Sequence, residues 1–569
     1  AQADSGSRQF KWLSGLWRFV ERRRSGVMLA AIVVIATIVP FLVLGDAGVP
    51  YRAAVIEITS AFPSTVPLTL DAARALMLWN VATAEAWVAK AAAQGAQIVV
   101  FPEDFADSGW GLSQAAAPFY AETLPEPGPV SMCTEGESPT PIARALACVA
   151  RKHGILLVTG LGSTGPCVSH ISPFTRQPFP CDRTSNRTWF NSQAAFGHDG
   201  ALLALYRKAH LARAWSSEFE AQWAEVDTPE VVTFDSHFGV KFGMFICNDI
   251  NFGGPARKLL EVGVRDFVFS TFWINSVPWA SAVGAQDGFS RAHGINFIAS
   301  NEDYQGRGAS GSGIWPANIS APFVQHYNTG TQQSDGWMGI LDLTSPTTSS
   351  PVPAPVSHPA DAPVTGLSGS TANGTAFEAR PGLSIKLEAK TANVTCSLQA
   401  EVRSGGGLYA LIAQAGLESG GWYSAKCIVV ACERRFLQKP NCFYVPESTI
   451  PGGGAVFGSL ALQISDPFGN AFLPSALCEG GKVPSPRSSI EVTGTHGMRS
   501  MSLLAADCPL LTAYFDSRAQ SEDERPECPA GLCKGHGVQM DSPMIGGFAP
   551  PRLPEISWQH YPMSETVVV

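Results

Sequence analysis

Three residues that could do chemistry stand where apolar runs of the sequence end. Glu103 follows IVVFP, Lys208 follows ALLALYR, and Cys247 follows VKFGMFI. In α/β proteins, reactive side chains collect at the ends of buried strands. A carboxylate, an ammonium group and a thiol gathered there make a nucleophilic unit, because the ammonium group lowers the pKa of the thiol and the carboxylate takes its proton. The thiolate would then attack a carbonyl or nitrile carbon.

Each of these residues alone also has an ordinary structural interpretation. Glu103 could cap the next segment, Lys208 could extend to solvent, and Cys247 could be a buried thiol of the core. The elements around them therefore decide whether the three side chains can meet.

The segments that must position these residues follow the rhythm of an α/β layer protein. Between residues 51 and 343, short β-rich runs alternate with alanine-rich helical stretches. Nearly all-apolar strands, typical of sheets covered on both faces, are predicted at 53–58, 97–103, 155–160, 231–235, 240–247, 266–273 and 295–300. Helices are predicted at 69–94, near 141–153, from 248 to 263 and before 293, with a hairpin at 192–208 around a His-Asp-Gly turn.

A glycine-rich stretch and the overall charge bear on other classes of ligand. Residues 160–165, GLGSTG, match the dinucleotide pattern G-x-G-x-x-G. The PCVSHISPF that follows has prolines and no helical period, so no helix N-terminus is expected there to hold a pyrophosphate. Charged residues make up only 15% of the chain, the net charge is -9, and no long basic run follows residue 24, which disfavours nucleic acid as a partner.

The N-terminal region predicts attachment to a membrane. Residues 27–45, VMLAAIVVIATIVPFLVLG, are uncharged and about long enough to cross a bilayer as a helix. Three arginines at 22–24 precede them, so the positive-inside rule leaves residues 1–26 in the cytosol. We expect a signal anchor and an extracellular or lumenal catalytic domain. A signal peptide cleaved near 45–47 is the alternative, and the protein would then be secreted.

Translocation would allow glycosylation and disulfide formation. Asn-x-Ser/Thr sequons are present at Asn186, Asn318, Asn373 and Asn393. The chain has 13 cysteines, an odd number that leaves at least one thiol unpaired in an oxidising compartment. If Cys247 is set aside, the remaining 12 of the 13 could close six disulfides.

A change in composition predicts a domain boundary. Residues 344–382 are rich in Pro, Ser, Thr and Gly, which is typical of a linker or a long excursion. Residues 383–569 hold eight of the 13 cysteines and short β-like runs, so we expect a disulfide-rich, mainly β domain. The C-x4-C pairs at 427/432 and 528/533 could also suggest zinc, but the spacing is wide for a zinc knuckle and no histidine cluster accompanies them. We therefore expect no metal.

The flanks of the three residues resemble a known family. FPEDFADSGW around Glu103, YRKAHL around Lys208 and FICNDINF around Cys247 resemble the nitrilase (carbon-nitrogen hydrolase) superfamily, whose members use a Glu-Lys-Cys triad. TFWIN, GINFIASN and GSGIWPAN, and LYALIAQAGLESGGWYSAKCIVVAC beyond the linker, resemble its vanin (pantetheinase) and biotinidase branch. The resemblance covers most of residues 51–500 and does not extend to the residues after them.

The resemblance implies an α-β-β-α sandwich for residues 51–343 and a β domain like that of vanins for 383–569. It also implies hydrolysis of a small linear amide, such as pantetheine or biocytin, without a metal or organic cofactor. Cys247 would be the nucleophile and Glu103 the general base and acid. Lys208, with the backbone N–H of Asn248, would stabilise the oxyanion.

Further site residues are assigned less directly. Glu218 in WSSEFEAQW is a candidate second carboxylate beside the lysine or the water, and Glu220 is argued equally well from the sequence. Both could instead lie in a solvated loop. Trp110 and Trp273 could line the substrate pocket or belong to the core. Asn248 stands where relatives usually have an aromatic residue, which leaves the identity of the substrate open.

Two other functions stay open on the sequence alone. A catalytically silent relative would act as a glycosylated scaffold or binding subunit, and the presence of all three triad residues argues against it. Nitrile or acyl-transfer chemistry on the same triad is a second enzymatic alternative, which the C-terminal domain disfavours. The oligomeric state does not follow from the sequence.

Overall fold

The computed structural model describes most residues between 48 and 477 and four short strands after them. The described ranges are 48–61, 69–107, 115–171, 177–212, 220, 222–252, 254–275, 281–304, 308–318, 320–328, 336–346, 371–391, 394–417, 423–432, 455–465, 471–477, 490–495, 498–503, 512–518 and 556–559. The predicted anchor at 27–45 lies outside these ranges. Within them, no helix is long and apolar enough to cross a bilayer.

Residues 50–344 contain thirteen strands and five α-helices in the described ranges. The strands are β1 (Pro50–Glu57), β2 (Ile98–Val100), β3 (Ala121–Glu122), β4 (Leu156–Gly165), β5 (Thr188–Phe196), β6 (Leu202–Arg207), β7 (Thr233–Asp235), β8 (Lys241–Ile246), β9 (Asp266–Thr271), β10 (Asn296–Asn301), β11 (Ser312–Trp315), β12 (Val324–His326) and β13 (Trp337–Thr344). The helices are α1 (Leu70–Ala93), α2 (Ala117–Tyr120), α3 (Pro141–His153), α4 (Ala256–Glu261) and α5 (Ala282–His293).

These elements form the four layers of an α-β-β-α sandwich. One sheet has the strand order β13-β1-β2-β4-β5-β6, with β3 beside β4, and the other has the order β12-β11-β10-β9-β8-β7. Apolar side chains of both sheets, among them Val100 and Met244, share one core. Helices α1 and α3 pack on the first sheet, and Phe289 of α5 packs against Phe245 and Phe267 of the second. The predicted sandwich is confirmed.

Local chemistry sets where the helices begin and end. The side chain of Thr69 accepts a hydrogen bond from the backbone of Ala72, as an N-cap residue does. Helix α3 begins at Pro141 and ends before Gly154, which adopts a left-handed conformation. The predicted helix from 248 to 263 is wrong in its first half, because the Gly-Gly-Pro sequence at 253–255 interrupts it. A 3-10 turn (Cys247–Asn251) and the short helix α4 replace it.

The glycine-rich stretch at 160–165 is part of a strand. β4 continues through Gly165 and pairs with β5 along its length, so no helix begins there. A Cβ atom at Gly160 would lie 2.3 Å from the backbone nitrogen of Asp104. Glycine at this position therefore lets the segment that carries Glu103 pack directly on β4.

The C-terminal part of the described chain is a two-sheet β structure. Its strands are β14 (Thr371–Ala379), β15 (Ser384–Lys390), β16 (Thr395–Gly405), β17 (Gly407–Leu417), β18 (Tyr423–Cys432), β19 (Ala455–Ser465), β20 (Ala471–Leu477), β21 (Ile490–Thr495), β22 (Met498–Leu503), β23 (Thr512–Arg518) and β24 (Ile556–Gln559). The sheet orders are β20-β23-β18-β17-β14-β24 and β15-β16-β19-β22-β21. β14 lies inside the range 344–382 predicted as linker, because it pairs with β17 despite its polar composition.

Three disulfides are present among the described residues: Cys133–Cys148, Cys167–Cys181 and Cys396–Cys427. The third joins β16 to β18, and therefore one sheet of the C-terminal part to the other. Cys247 is a free, buried thiol. The disulfides agree with an oxidising compartment and with Cys247 as the cysteine set aside from pairing.

The sequons differ in their surroundings. Asn186 and Asn318 are exposed in turns. Asn373 is half-buried within β14, and its side chain donates to the carbonyl of Lys390 at 2.9 Å. Asn393 lies outside the described residues. Glycosylation of these asparagines stays a prediction.

A buried carboxylate ends β1. The two oxygens of Glu57 accept hydrogen bonds from the hydroxyl of Ser310 at 2.5 Å and from the backbone of Gly311 at 3.0 Å. Burial raises the pKa of Glu57 to about 8 even though these hydrogen bonds oppose the rise, and the charge of Asp303 adds to it. This group therefore makes the stability of the fold depend on pH.

Because the pKa of Glu57 is raised in the folded state, its contribution to stability is complete below its ordinary pKa and is lost as the pH rises toward 8. Glu57→Gln, which keeps the shape without the charge, should leave the free energy of unfolding nearly unchanged at pH 5. At pH 8.5 it should raise that free energy by on the order of 4 kcal/mol. Urea unfolding at both pH values checks this.

The exposed carboxylate Glu261 of α4 provides the matched control. Glu261→Gln should not change the difference in unfolding free energy between pH 5 and pH 8.5. A Glu57→Gln protein that loses stability with pH as steeply as the wild type would contradict the role assigned to Glu57.

Candidate active site

Cys247 occupies a strained turn at the end of β8. Its backbone φ is 42°, in the left-handed region that non-glycine residues rarely adopt. The carboxylate of Asp249 stabilises this turn, because it accepts hydrogen bonds from the backbone of Ile246 at 3.2 Å and from the hydroxyl of Tyr206 at 2.8 Å. It also accepts one from the backbone of His210 at 2.9 Å. The turn places Cys247 directly after the last residue of β8.

Glu103 lies next to this turn because of its backbone contacts. The chain leaves β2 at Val100, and the backbone N–H of Glu103 donates to the carbonyl of Thr271 at 3.4 Å. Thr271 follows Ser270, which is in register with Ile246, the residue before Cys247. One carboxylate oxygen of Glu103 also accepts a 2.6 Å hydrogen bond from the backbone of Phe272. The end of β9 and Phe272 after it thus fix Glu103 where its charge acts on Cys247.

Lys208 completes the group from the first sheet. Its backbone N–H donates to the carbonyl of Asn191 at 2.9 Å, which continues the pairing of β5 with β6 by one residue. Its Nζ donates to Oε1 of Glu103 at 2.6 Å. The side chains of Lys208 and Glu103 are only 1% and 2% exposed, so this ion pair is isolated from solvent.

Glu220 is a second carboxylate beside the lysine. Nζ of Lys208 donates to its two oxygens at 2.9 Å and 3.0 Å. The backbone N–H of Ala212 also donates to Glu220. The alternative residue, Glu218, lies outside the described residues, so the structure gives Glu220 a defined contact and leaves Glu218 a prediction.

Burial controls the protonation of the site. Burial alone would lower the pKa of Lys208, but the charges of Glu103 and Glu220 outweigh it and hold that pKa well above its usual value. Burial raises the pKa of Glu103, with Lys208 opposing the rise and Glu220 adding to it. The lysine therefore stays charged, while Glu103 binds a proton more readily than an exposed carboxylate does.

The thiol differs from the sequence expectation. Lys208 does act to lower the pKa of Cys247, as predicted. Burial acts more strongly in the opposite direction, and the charge of Glu103 adds to it, so the pKa of the thiol is raised well above its usual value. Cys247 is therefore a neutral thiol, and a nucleophilic attack by its sulfur would need a base to take the proton.

Four residues at or near the turn and after β9 are slightly exposed: Cys247 is 7%, Asn248 9%, Phe252 8% and Trp273 8% exposed. The side chain of Asn248 donates to the carbonyl of Leu211 at 3.3 Å.

The two tryptophans named from the sequence differ in what the structure says of them. Trp273 follows β9, and its backbone N–H donates to the side chain of Asn301 at 2.7 Å. Trp110 lies outside the described residues. The structure thus brings Trp273 to the region of the triad, and a pocket role for Trp110 stays a prediction.

Sequence reasoning missed two contacts of the triad. The backbone N–H of Phe272 orients Glu103, and a backbone donor leaves no signal in residue types. The side-chain amide of Asn191 donates to Glu103 at 2.8 Å and to Glu220 at 3.0 Å. Its residue type gives little signal, because Ser192 and Gln193 of the same strand are equally buried polar residues, and its partners are far away in sequence.

Comparisons with known proteins give the family that part of the chain matches. The model of the carbon-nitrogen hydrolase family matches residues 52–287. Pantetheinase from Canis lupus familiaris is 33% identical over 298 residues, which are 51% of this chain and 55% of the relative. Biotinidase from Takifugu rubripes is 34% identical over 267 residues, 46% of this chain and 49% of the relative. The chain thus spans about half the length of the curated relatives it matches.

Among solved structures, an amidase from Nesterenkonia sp. is 18% identical, with a TM-score of 0.34 over 53% of this chain and 93% of that one. The family match and the curated relatives carry the assignment. Residues 52–287 belong to the nitrilase superfamily of carbon-nitrogen hydrolases, in the branch that includes pantetheinase and biotinidase.

Proposed function

We propose that this protein hydrolyses a linear secondary amide, such as pantetheine or biocytin, through a thioester on Cys247. The observation that carries the proposal is the buried contact of 2.6 Å between Lys208 and Glu103, whose charges both act on the free thiol of Cys247. A buried ion pair next to a strained cysteine is costly for the fold, which favours a catalytic role.

In the first half of the reaction, Glu103 takes the proton of the thiol as sulfur attacks the carbonyl carbon of the amide. Lys208 and the backbone N–H of Asn248 stabilise the oxyanion that forms. The C–N bond then breaks, and Glu103 gives its proton to the leaving amine. The acyl group remains on Cys247 as a thioester.

In the second half, water attacks the thioester carbon and Glu103 takes a proton from that water. The C–S bond breaks, the carboxylic acid leaves, and the thiol regains its proton. Glu220 and Trp273 take no part in making or breaking bonds. Glu220 holds Lys208 in place, and Trp273 lines the pocket. The disulfides support an extracellular or lumenal site for the reaction.

The proposal predicts amine release that depends on Cys247. The purified full-length chain is incubated with pantetheine and with biocytin, and cysteamine and lysine are measured beside a Cys247→Ala control. Release of one amine by the wild type alone would support the amidase function and identify the substrate class.

The other outcomes separate the alternatives. If neither amine appears while iodoacetamide still labels Cys247, the triad is reactive and the substrate class is wrong. No release and no labelling would favour the catalytically silent scaffold.

A further inference from the structure

Asn191 connects the two carboxylates of the site. Its Nδ2 donates to Oε1 of Glu103 at 2.8 Å and to Oε1 of Glu220 at 3.0 Å. Nζ of Lys208 donates to the same two oxygens, at 2.6 Å and 2.9 Å. The four atoms therefore form a closed ring in which donors and acceptors alternate.

This ring holds two like charges together in a buried place. With Lys208 charged and Asn191 neutral, it carries one excess negative charge, and Asn191 itself is fully buried. The lysine alone would leave each Oε1 atom with a single donor from the ring. The amide supplies a second donor to each, and hydrogen bonds to a carboxylate stabilise its charged form.

Asn191 is also placed rigidly. It lies inside β5, opposite Gly162 of β4, and its carbonyl accepts the backbone N–H of Lys208 at 2.9 Å. One residue thus fixes the backbone of the lysine and the side chain of the base. A residue with both contacts can set the orientation of Glu103 toward Cys247 without touching the substrate.

We infer that Asn191 is a positioning residue of the reaction, which keeps Glu103 in the charged, proton-accepting form and aimed at Cys247. The inference rests on the proposed function, because it assigns a part in the same proton transfer. It goes beyond the triad because the residue that positions Glu103 lies in the first sheet, whereas Cys247 follows a strand of the second sheet.

The test compares Asn191→Ala with Gln193→Ala. Gln193 is an equally buried amide two residues along β5, and its side chain donates to the hydroxyl of Ser270 at 2.7 Å instead of to the triad. Both variants lose a buried amide, so both should lose some stability. Only Asn191→Ala should change the titration of the base.

The expected result is a shift in the pH dependence of kcat/KM. Without Asn191 the charged form of Glu103 loses a donor, so its pKa rises and the acidic limb moves up by about one pH unit. Turnover at pH 7 should fall and recover as the pH is raised. The acidic side of the pH profile of Gln193→Ala should coincide with that of the wild type. If the profile of Asn191→Ala also coincided with it, the inference would be overturned.

A second measurement does not need a substrate. With a higher pKa, Glu103 would be protonated in a larger fraction of molecules at pH 7 and would repel the thiolate less. Iodoacetamide should therefore label Cys247 at pH 7 up to about tenfold faster in Asn191→Ala. If the wild type releases neither amine, the proposed function fails while this labelling still tests Asn191. Equal labelling rates in the wild type and both variants would overturn the inference; if Asn191→Ala does not fold, Asn191→Ser is judged by the same two criteria.

Discussion

Lys208→Met should abolish turnover and also weaken the fold. The ammonium group contacts both Glu103 and Glu220, so the variant would leave two buried carboxylates facing each other without a cation. Breaking a buried ion pair by removing one partner costs about 3–5 kcal/mol. Loss of an oxyanion donor costs about 10²- to 10³-fold in kcat. Chemical unfolding at pH 7 and steady-state amine release measure the two effects.

The stability loss should depend on pH in a definite direction. The pKa of Glu103 is already raised by burial, and removal of Lys208, which opposes that rise, should raise it further. A group whose pKa is raised in the folded state contributes stability at low pH that is lost as the pH rises. The difference in unfolding free energy between wild type and Lys208→Met should therefore be smaller at pH 5 than at pH 8.

Two other variants separate charge from packing. Lys152 forms an ion pair of 2.5 Å with Glu85, but its side chain is 67% exposed. Lys152→Met should therefore cost less than about 1 kcal/mol. The double variant with Lys208→Met and Glu220→Gln should regain part of the lost stability and none of the activity. A Lys208→Met protein as stable as the wild type at pH 7 would contradict the assignment.

The positions of Glu103, Lys208 and Cys247 at strand ends could be predicted because their signal is local. Each of them directly follows a buried run, which marks the end of a strand. That they meet depends on how the two sheets pack, because β2 and β6 belong to one sheet and β8 to the other. The contact of Glu103 with β9 was not predicted, because β2 and β9 belong to different sheets. The predicted strand at 97–103 was too long, because β2 ends at Val100 and a turn begins at Glu103.

What could not be predicted depends on contacts between distant segments. Glu218 and Glu220 stand in a stretch without periodicity, so no pattern indicates which of them meets Lys208. Asn191 meets partners 88 and 29 residues away in the sequence. The raised pKa of Cys247 follows from burial, which depends on the packing of the whole sandwich and outweighs the charge of its neighbour.

Glu103→Gln should lower kcat by about 10²- to 10⁴-fold, the usual contribution of a general acid–base group. The amide keeps the size of the carboxylate but cannot take the proton of the thiol or of the attacking water. Its amide nitrogen would also replace an oxygen that accepts from Phe272, Lys208 or Asn191 in the wild type. Both the acylation and the hydrolysis of the thioester should slow.

The same substitution should make Cys247 more reactive toward a small electrophile. Burial is the main cause of the raised pKa of this thiol, and it would be unchanged in the variant. The charge of Glu103 is the next cause, and Lys208 opposes it. Without the carboxylate of Glu103, less negative charge would offset the effect of the Lys208 ammonium group on the pKa of Cys247. The thiolate fraction at pH 7 should therefore rise.

Turnover and labelling should therefore change in opposite directions. The measurement pairs kcat for amine release with the second-order rate of iodoacetamide labelling, quantified on the peptide that contains Cys247. Glu57→Gln is the matched control, because it makes the same change at a buried carboxylate that does not contact Lys208. If Glu103 only maintained the shape of the site, damage would slow both rates together, and slower labelling in Glu103→Gln would contradict its assignment as the base, whose charge raises the pKa of the thiol and which then accepts the proton.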